Sequence, residues 1–168
     1  VIKSSKLGLE LKNDKKSLLN DFTIECWVKQ EPGSTSKRIF FAQKDVNNFC
    51  SILVNSSNTL YFFLSDNGTS YSVNTQVHLS SSVWKHIAFV WDASTNTITT
   101  YVNGIQISGV SGGTSSLGTN GIMAIGARTD GQQIYKGSID EFRIWDDIRT
   151  PCEIAAGMNN TFTTGQPN

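Results

Sequence analysis

Residues 84–107 read W-K-H-I-A-F-V-W-D-A-S-T-N-T-I-T-T-Y-V-N-G-I-Q-I, and this stretch decides the fold. From Val83 to Trp91, apolar side chains occupy both phases of a two-residue repeat. Trp84, Ala88 and Val90 fall in one phase, Ile87, Phe89 and Trp91 in the other. Alternate residues of a strand point to opposite faces, so a strand apolar in both phases belongs inside a sheet with material on each side. Asp92 to Asn96 is a polar turn and Thr97 to Val102 the returning strand. Asn103-Gly104 then closes a second hairpin, because a two-residue type I′ turn needs positive φ at both positions. Three successive strands cannot bury their own apolar faces. The rest of the chain must supply a second sheet.

It contains the material. Leu7, Leu9 and Leu11 alternate with polar residues as a half-buried opening strand, and Phe22 to Lys29 alternates in the same way. Arg38 to Gln43, Phe49 to Val54 and Leu60 to Ser65 are short apolar strands separated by polar turns. Asn67-Gly68 is another hairpin signal, and Tyr71 to Leu79 is polar enough for a sheet edge. Ser108 to Asn120 is a Gly/Ser/Thr loop; Ile122 to Ala127 and Gly137 to Trp145 are the last strands, joined through R-T-D-G-Q-Q at 128–133. Thr150-Pro151-Cys152-Glu153 is the one good helix start, with Thr as N-cap, Pro at the first helical position and Glu completing a capping box. That helix is expected to run to about Gly157. The pattern predicts an all-β fold, a two-sheet antiparallel sandwich with one short C-terminal helix.

Length and composition set bounds. The chain of 168 residues is read as one domain over 1–160, with 161–168 a polar tail or the start of a linker. It opens at Val1 without an initiator Met or a signal peptide, which reads as a module taken from a larger protein. Lys+Arg and Asp+Glu are both 14, so no net charge favours nucleic acid or an anionic membrane. No apolar run approaches the roughly 20 residues of a membrane span. Cys26, Cys50 and Cys152 are expected to be free or buried thiols, with a Cys50–Cys152 bridge as the alternative. Sequons at Asn55, Asn67 and Asn159 arise by chance in a chain this rich in Asn, Ser and Thr.

The segments F-T-I-E-C-W-V-K, W-K-H-I-A-F-V-W-D, Y-V-N-G and G-S-I-D-E-F-R-I-W-D-D-I-R-T-P-C-E-I follow one another from Phe22 to Ile154. In order and spacing the chain resembles the laminin-G-like domains of the concanavalin A-like lectin/glucanase superfamily, which includes the pentraxins. The resemblance implies a jelly-roll sandwich and a surface or extracellular setting. It also implies a final apolar strand after the helix, which here is absent or supplied by Leu7–Leu11.

The superfamily includes glycoside hydrolases, so catalysis has to be weighed. Retaining cleavage needs two carboxylates about 5 Å apart, and glucanases of this fold set them at alternate positions as E-x-D-x-E. Here Asp140-Glu141 and Asp146-Asp147 are adjacent, and adjacent residues of a strand face opposite ways. His86 lies in a core strand and reads as structural, and neither a metal-ligand spacing nor a phosphate loop is present. The protein is therefore expected not to be an enzyme.

Binding is the expected function, with structural packing on neighbouring domains of the same polypeptide as the alternative and a divergent hydrolase the weakest. The partner class is a glycan or a cell-surface or extracellular protein, with no nucleic acid and no membrane insertion. The pentraxin resemblance implies a calcium site at Asp45, Asn47, Asn48 and Asp130, although Arg128 stands where an acidic ligand would be. Calcium wants six to eight oxygens, so it remains a candidate cofactor only. Sugars stack on aromatic faces and bond to amides and carboxylates. Asn47, Asn48, Tyr71, Arg128, Asp130, Gln132, Gln133 and Tyr135 offer that chemistry near one expected rim. Trp27, Trp84, Trp91 and Trp145 sit inside apolar patterns and are assigned to the core, Trp84 with a truncation cost of about 3–5 kcal/mol.

Overall fold

A computed structural model describes residues 2–3, 9–12, 21–31, 37–80, 83–111 and 122–160. Twelve strands and one helix follow in order: β1 (Ile2–Lys3), β2 (Leu9–Lys12), β3 (Phe22–Gln30), β4 (Lys37–Asp45), β5 (Asn48–Val54), β6 (Thr59–Asp66), β7 (Thr69–His78), β8 (Lys85–Asp92), β9 (Thr97–Val102), β10 (Ile105–Ser111), β11 (Ile122–Ile125), β12 (Gly137–Trp145) and α1 (Pro151–Gly157). They form two six-stranded sheets. Sheet A has the order β1-β12-β3-β8-β9-β10 and sheet B the order β2-β11-β4-β5-β6-β7. All pairings between named strands are antiparallel. The protein is a jelly-roll β-sandwich.

The opening stretch lies where its pattern put it. β8 is interior to sheet A, between β3 and β9. Ile87, Phe89 and Trp91 face the other sheet and pack with Phe22, Ile24, Phe40, Phe62 and Ile98, all buried. Phe62 of sheet B stacks on Phe89 of sheet A at 5.1 Å between ring centroids. In the other phase, Ala88 and Val90 form a second buried cluster with Tyr101 and Ile154 of α1. Both faces of β8 are covered, one by a sheet and one by a helix. The Asn-Gly turns adopt the expected conformation, with φ of 52° and 76° at Asn103 and Gly104, and 47° and 82° at Asn67 and Gly68.

Helix α1 is clamped at both ends. A helix leaves its first N–H groups and last carbonyls without internal partners. At the start, Thr150 Oγ1 accepts from the Glu153 N–H while the Glu153 carboxylate accepts from the Thr150 N–H, the predicted capping box. At the end, Trp27 Nε1 donates to the Met158 carbonyl at 2.7 Å, and Arg143 donates to the carbonyls of Gly157 and Asn160. The outer face of sheet A thus holds the helix by side chains.

Several expectations need correction. Trp84 precedes β8 and is only half-buried, with Lys29 Nζ 5.1 Å from its ring centre. Trp27 and Trp145 are likewise half-buried on the outer side of sheet A, where their indole N–H groups bond α1 and Glu25; only Trp91 belongs to the core. A bulge between Asp140 and Arg143 breaks the simple alternation there, with Glu141 at φ 50° and its carboxylate 2.8 Å from Arg143 Nη2. β2 edges sheet B beside β11, and β1, which the pattern did not suggest, pairs with β12. Strand β10 continues to Ser111, into the segment read as loop; the remainder of that loop and the 161–168 tail lie outside the described residues. All three thiols are free, Cys26 and Cys50 buried and Cys152 exposed. Burial pushes the Cys50 thiol up to about 12.

Candidate functional site

The outer face of sheet B can be read from its register. Residues opposite one another on neighbouring strands share a face. Phe40, Ile52, Phe62 and Val73 pair in sequence and point into the sandwich. The alternate rows point outward: Ala124–Phe41–Ser51–Phe63–Ser72, then Gln43–Phe49–Ser65–Ser70, then Leu53–Tyr61–Asn74. Three phenylalanines from three strands run diagonally across this face. Phe41 and Phe49 lie 5.4 Å apart, and Phe49 stacks on Phe63 at 5.5 Å with only 11° between ring planes. Phe49, Phe63, Tyr61 and Leu53 are all partly exposed. The single helix among the described residues is spent on sheet A, so none covers these rings.

One end of the strip is closed by the segment after β11. Gly126 N–H bonds the Ile39 carbonyl, Arg38 N–H bonds the Gln133 carbonyl, and Ile134 bridges Arg38. The 128–133 loop therefore lies against β4. Thr129 Oγ1 reaches Gln43 Oε1 at 3.3 Å. Arg38 and Arg128 both lie over the Phe41 ring, at 5.5 and 5.9 Å, which leaves Phe41 only 3% exposed. Arg38 donates through Nε to Gln133 Oε1 at 2.7 Å and through Nη1 to Ser51 Oγ at 2.6 Å. Arg128 Nη2 meets Asp130 Oδ2 at 3.2 Å, and Asp130 Oδ1 also accepts from the Gln132 N–H.

The expected site residues divide among three places. Arg128, Asp130, Gln132 and Gln133 form the loop beside the aromatic strip. Asn47 and Asn48 lie instead in the β4–β5 turn, which packs on the β6–β7 turn: Gly68 N–H and Ser65 Oγ both bond the Asn47 carbonyl, and Asn67 N–H bonds Asn48 Oδ1. Tyr71 pairs with Leu64 and packs against the core. Tyr135 is a correction, since it is 0% exposed inside the sandwich, its N–H bonded to the Gly126 carbonyl. Burial raises its phenol, and its hydroxyl has no partner among the described residues. It cannot stack on a ligand. The strip itself was missed, although its signal was present: Phe40-Phe41, Phe49-Cys50 and Phe62-Phe63 make three successive strands apolar in both phases.

The donors proposed for calcium do not fit a cation as folded. Both oxygens of Asp45 accept from Asn48 Nδ2, and Oδ1 from the Asn47 N–H; these bonds hold its carboxyl below the ordinary range. Asp130 is engaged with a guanidinium. No group of three or more His, Cys, Asp or Glu side chains among the described residues could hold a metal ion.

Sheet A's outer face carries the other charged cluster. Glu25, 2% exposed, accepts from Trp145 Nε1 at 2.9 Å and Arg143 Nη1 at 3.2 Å, and lies 3.4 Å from His86 Nε2. Burial pushes its carboxyl up, but His86, Trp145 and Arg143 outweigh that and hold it below 4.5. His86 is buried, as expected of a histidine in a core strand, but neither ring nitrogen has a hydrogen-bond partner among the described residues.

Residues 4–155 match the laminin G type of the concanavalin A-like lectin/glucanases superfamily. The chain belongs to this family. No curated protein sequence is similar enough to count as a relative. Among solved structures, domain 4 of AbnA, an extracellular arabinanase from Geobacillus stearothermophilus, solved in complex with arabinotriose, shares 25% identity at a TM-score of 0.76, over 89% of this chain and 71% of that one. A heptameric pentraxin from Limulus polyphemus is 18% identical at 0.70, over 92% and 76%. The CBM40 of a Ruminococcus gnavus sialidase, solved with α2,3-sialyllactose, is 16% identical at 0.70, over 92% and 97%. At such identities the last two speak for the fold alone. No helix among the described residues is long and apolar enough to cross a membrane.

Proposed function

We propose that this protein is a non-catalytic, glycan-binding module of a larger extracellular or surface protein, and that the glycan lies along the outer face of sheet B. The observation that carries the reading is the Phe41–Phe49–Phe63 diagonal with Tyr61 beside it: Phe49, Phe63 and Tyr61 are partly exposed, Phe41 lies under the two arginines, and no helix among the described residues covers them. Rings of this kind pack on the C–H faces of sugars, while Ser70, Ser72, Asn74, Gln43 and Gln133 stand around them to bond hydroxyls. An apolar strip ringed by small polar groups is how a binding site differs from a core that happens to be open. The AbnA domain, similar over most of its length and solved with arabinotriose, supports a sugar ligand. Catalysis has little support: Asp130 is tied to Arg128, and Glu25 is buried on the opposite side of the molecule.

The test is a glycan array of neutral and acidic oligosaccharides, run with and without EDTA, on the parent and on Phe63→Ala. Binding that survives EDTA and is lost in Phe63→Ala is the expected result. Binding lost in EDTA would restore the calcium site at Asp45, Asn47, Asn48 and Asp130. If no glycan binds, the strip is a packing face for a neighbouring domain.

A further inference from the structure

If the outer face of sheet B does hold a glycan, the charge at one end of its strip narrows which kind. Arg38 comes from β4 and Arg128 from the loop after β11, yet both guanidiniums lie over one ring, Phe41. Like charges brought together need a reason or an anion. Burial first, and then the charge of Arg128, pull Arg38 down to about 10, with Asp130 opposing; it still carries its full charge at neutral pH. Asp130 is shared between Arg128 and the Gln132 N–H. The cluster thus holds two positive charges and one negative.

The guanidiniums are also held in place. Arg38 is fixed by Gln133 through Nε and Ser51 through Nη1, which leaves Nη2 without a hydrogen bond among the described residues. Arg128 has a buried Nε with no partner there. Arg38 Nη2, held in place beside a hydrophobic platform and next to the Arg128 charge, can donate a charge-assisted hydrogen bond to a carboxylate. Phe49 and Phe63 continue the platform away from the pair.

We propose that Arg38 and Arg128 form an anion subsite at the end of the aromatic strip, and that the preferred glycan bears one carboxylate on the sugar seated beside it. One net positive charge matches a single anion. It does not match a polysulfated chain, for which a row of cations would be needed, and the protein as a whole has none to spare. The shared chemistry is a carboxylated sugar, which a uronic acid or a sialic acid could supply.

Calorimetry on the whole chain would use trigalacturonate, its methyl ester, sialyllactose, lactose and heparin. The expected result is that trigalacturonate or sialyllactose binds roughly tenfold or more tightly than its neutral counterpart; which of the two binds identifies the source of the carboxylate. Arg38→Gln and, separately, Arg128→Gln should bring the acid down to the level of the neutral compound, and added salt should narrow the gap. Arg128 is partly exposed, so its variant stays folded even if the Arg38 variant does not. Equal affinity for acid and ester, both lost in Phe63→Ala, would overturn the subsite and leave the glycan-binding reading standing. Tighter binding of heparin than of either acid would overturn the single-anion match. Binding of none of the five would overturn the subsite, while the array decides the glycan reading separately.

Discussion

On the outer face of sheet A, polar and charged side chains are consumed by the protein itself. Glu25, Arg143, Trp145 and Trp27 bond one another or the carbonyls that end α1, and Ile154 seals Ala88, Val90 and Tyr101. On the outer face of sheet B the strands carry rings instead, no helix among the described residues lies over them, and the arginines at one end hold fewer negative partners than their charge calls for. The two sheets share strand number and pairing geometry. What separates them is where α1 goes. A face that satisfies itself contributes stability, and a face left half-satisfied is where a ligand can gain free energy.

The contrast predicts opposite outcomes for substitutions on the two faces. The largest effect belongs to Arg143→Leu. It leaves Glu25 charged, 2% exposed and short of its guanidinium, while two carbonyls at the helix end lose their donor. Breaking a buried pair from one side costs about 3–5 kcal/mol, measured by urea unfolding. A loss under 1 kcal/mol would mean that sheet A's cluster is as open to water as sheet B's face.

Gly104→Val comes next. Its φ of 76° is strained for a branched residue, and an added Cβ would lie 3.2 Å from Ala155 Cβ of α1. A loss of about 2–3 kcal/mol is expected, together with weakened protection of the α1 amides in hydrogen exchange. Unchanged α1 protection would show that the hairpin and the helix are not one unit.

On sheet B the sign of the contrast reverses. Phe63→Ala should cost only about 1–2 kcal/mol while abolishing glycan binding. Were it to destabilise as much as Arg143→Leu, the strip would be core rather than site.

The sequence disclosed the sandwich because its signals were local. The doubled apolar phase of β8, the Asn-Gly turns and the Thr150–Glu153 box each need only neighbouring residues to act. The site was partly hidden because it depends on what covers a face. Phe41, Phe49 and Phe63 fell within segments read only as short apolar strands, and in β8 the same doubled pattern is truly covered on both sides. Nothing near them in the chain states that α1 goes to sheet A. Tyr135 was misplaced for the converse reason: it follows a polar loop, but the chain re-enters the sandwich one residue earlier, where Ile134 bridges Arg38. Arg128 to Gln133 stood out as candidates because binding residues tend to ride on polar loops between strands, and the structure lays that loop against β4.

The smallest expected effect is one of pH, and it too separates the faces. Glu25 is held below its ordinary 4.5 in the folded protein, with burial opposing and His86, Trp145 and Arg143 prevailing. A depressed carboxylate binds its proton more weakly when folded than when unfolded. Its contribution is therefore fully present above about pH 4.5 and is lost as pH falls through the lower, folded value. Asp45, Asp92 and Glu153 are lowered as well, by hydrogen bonds in exposed turns and at the helix cap, so acid should destabilise the parent through several groups. Glu25→Gln will be less stable at pH 7, because the buried carboxylate that pairs with Arg143 and accepts from Trp145 loses its charge. Its unfolding midpoint should nevertheless fall less steeply than the parent's between pH 5 and pH 3. Equal slopes in parent and Glu25→Gln would mean that the buried cluster contributes no more to acid stability than a solvated pair, and the distinction between the two faces would then rest on the aromatic strip alone.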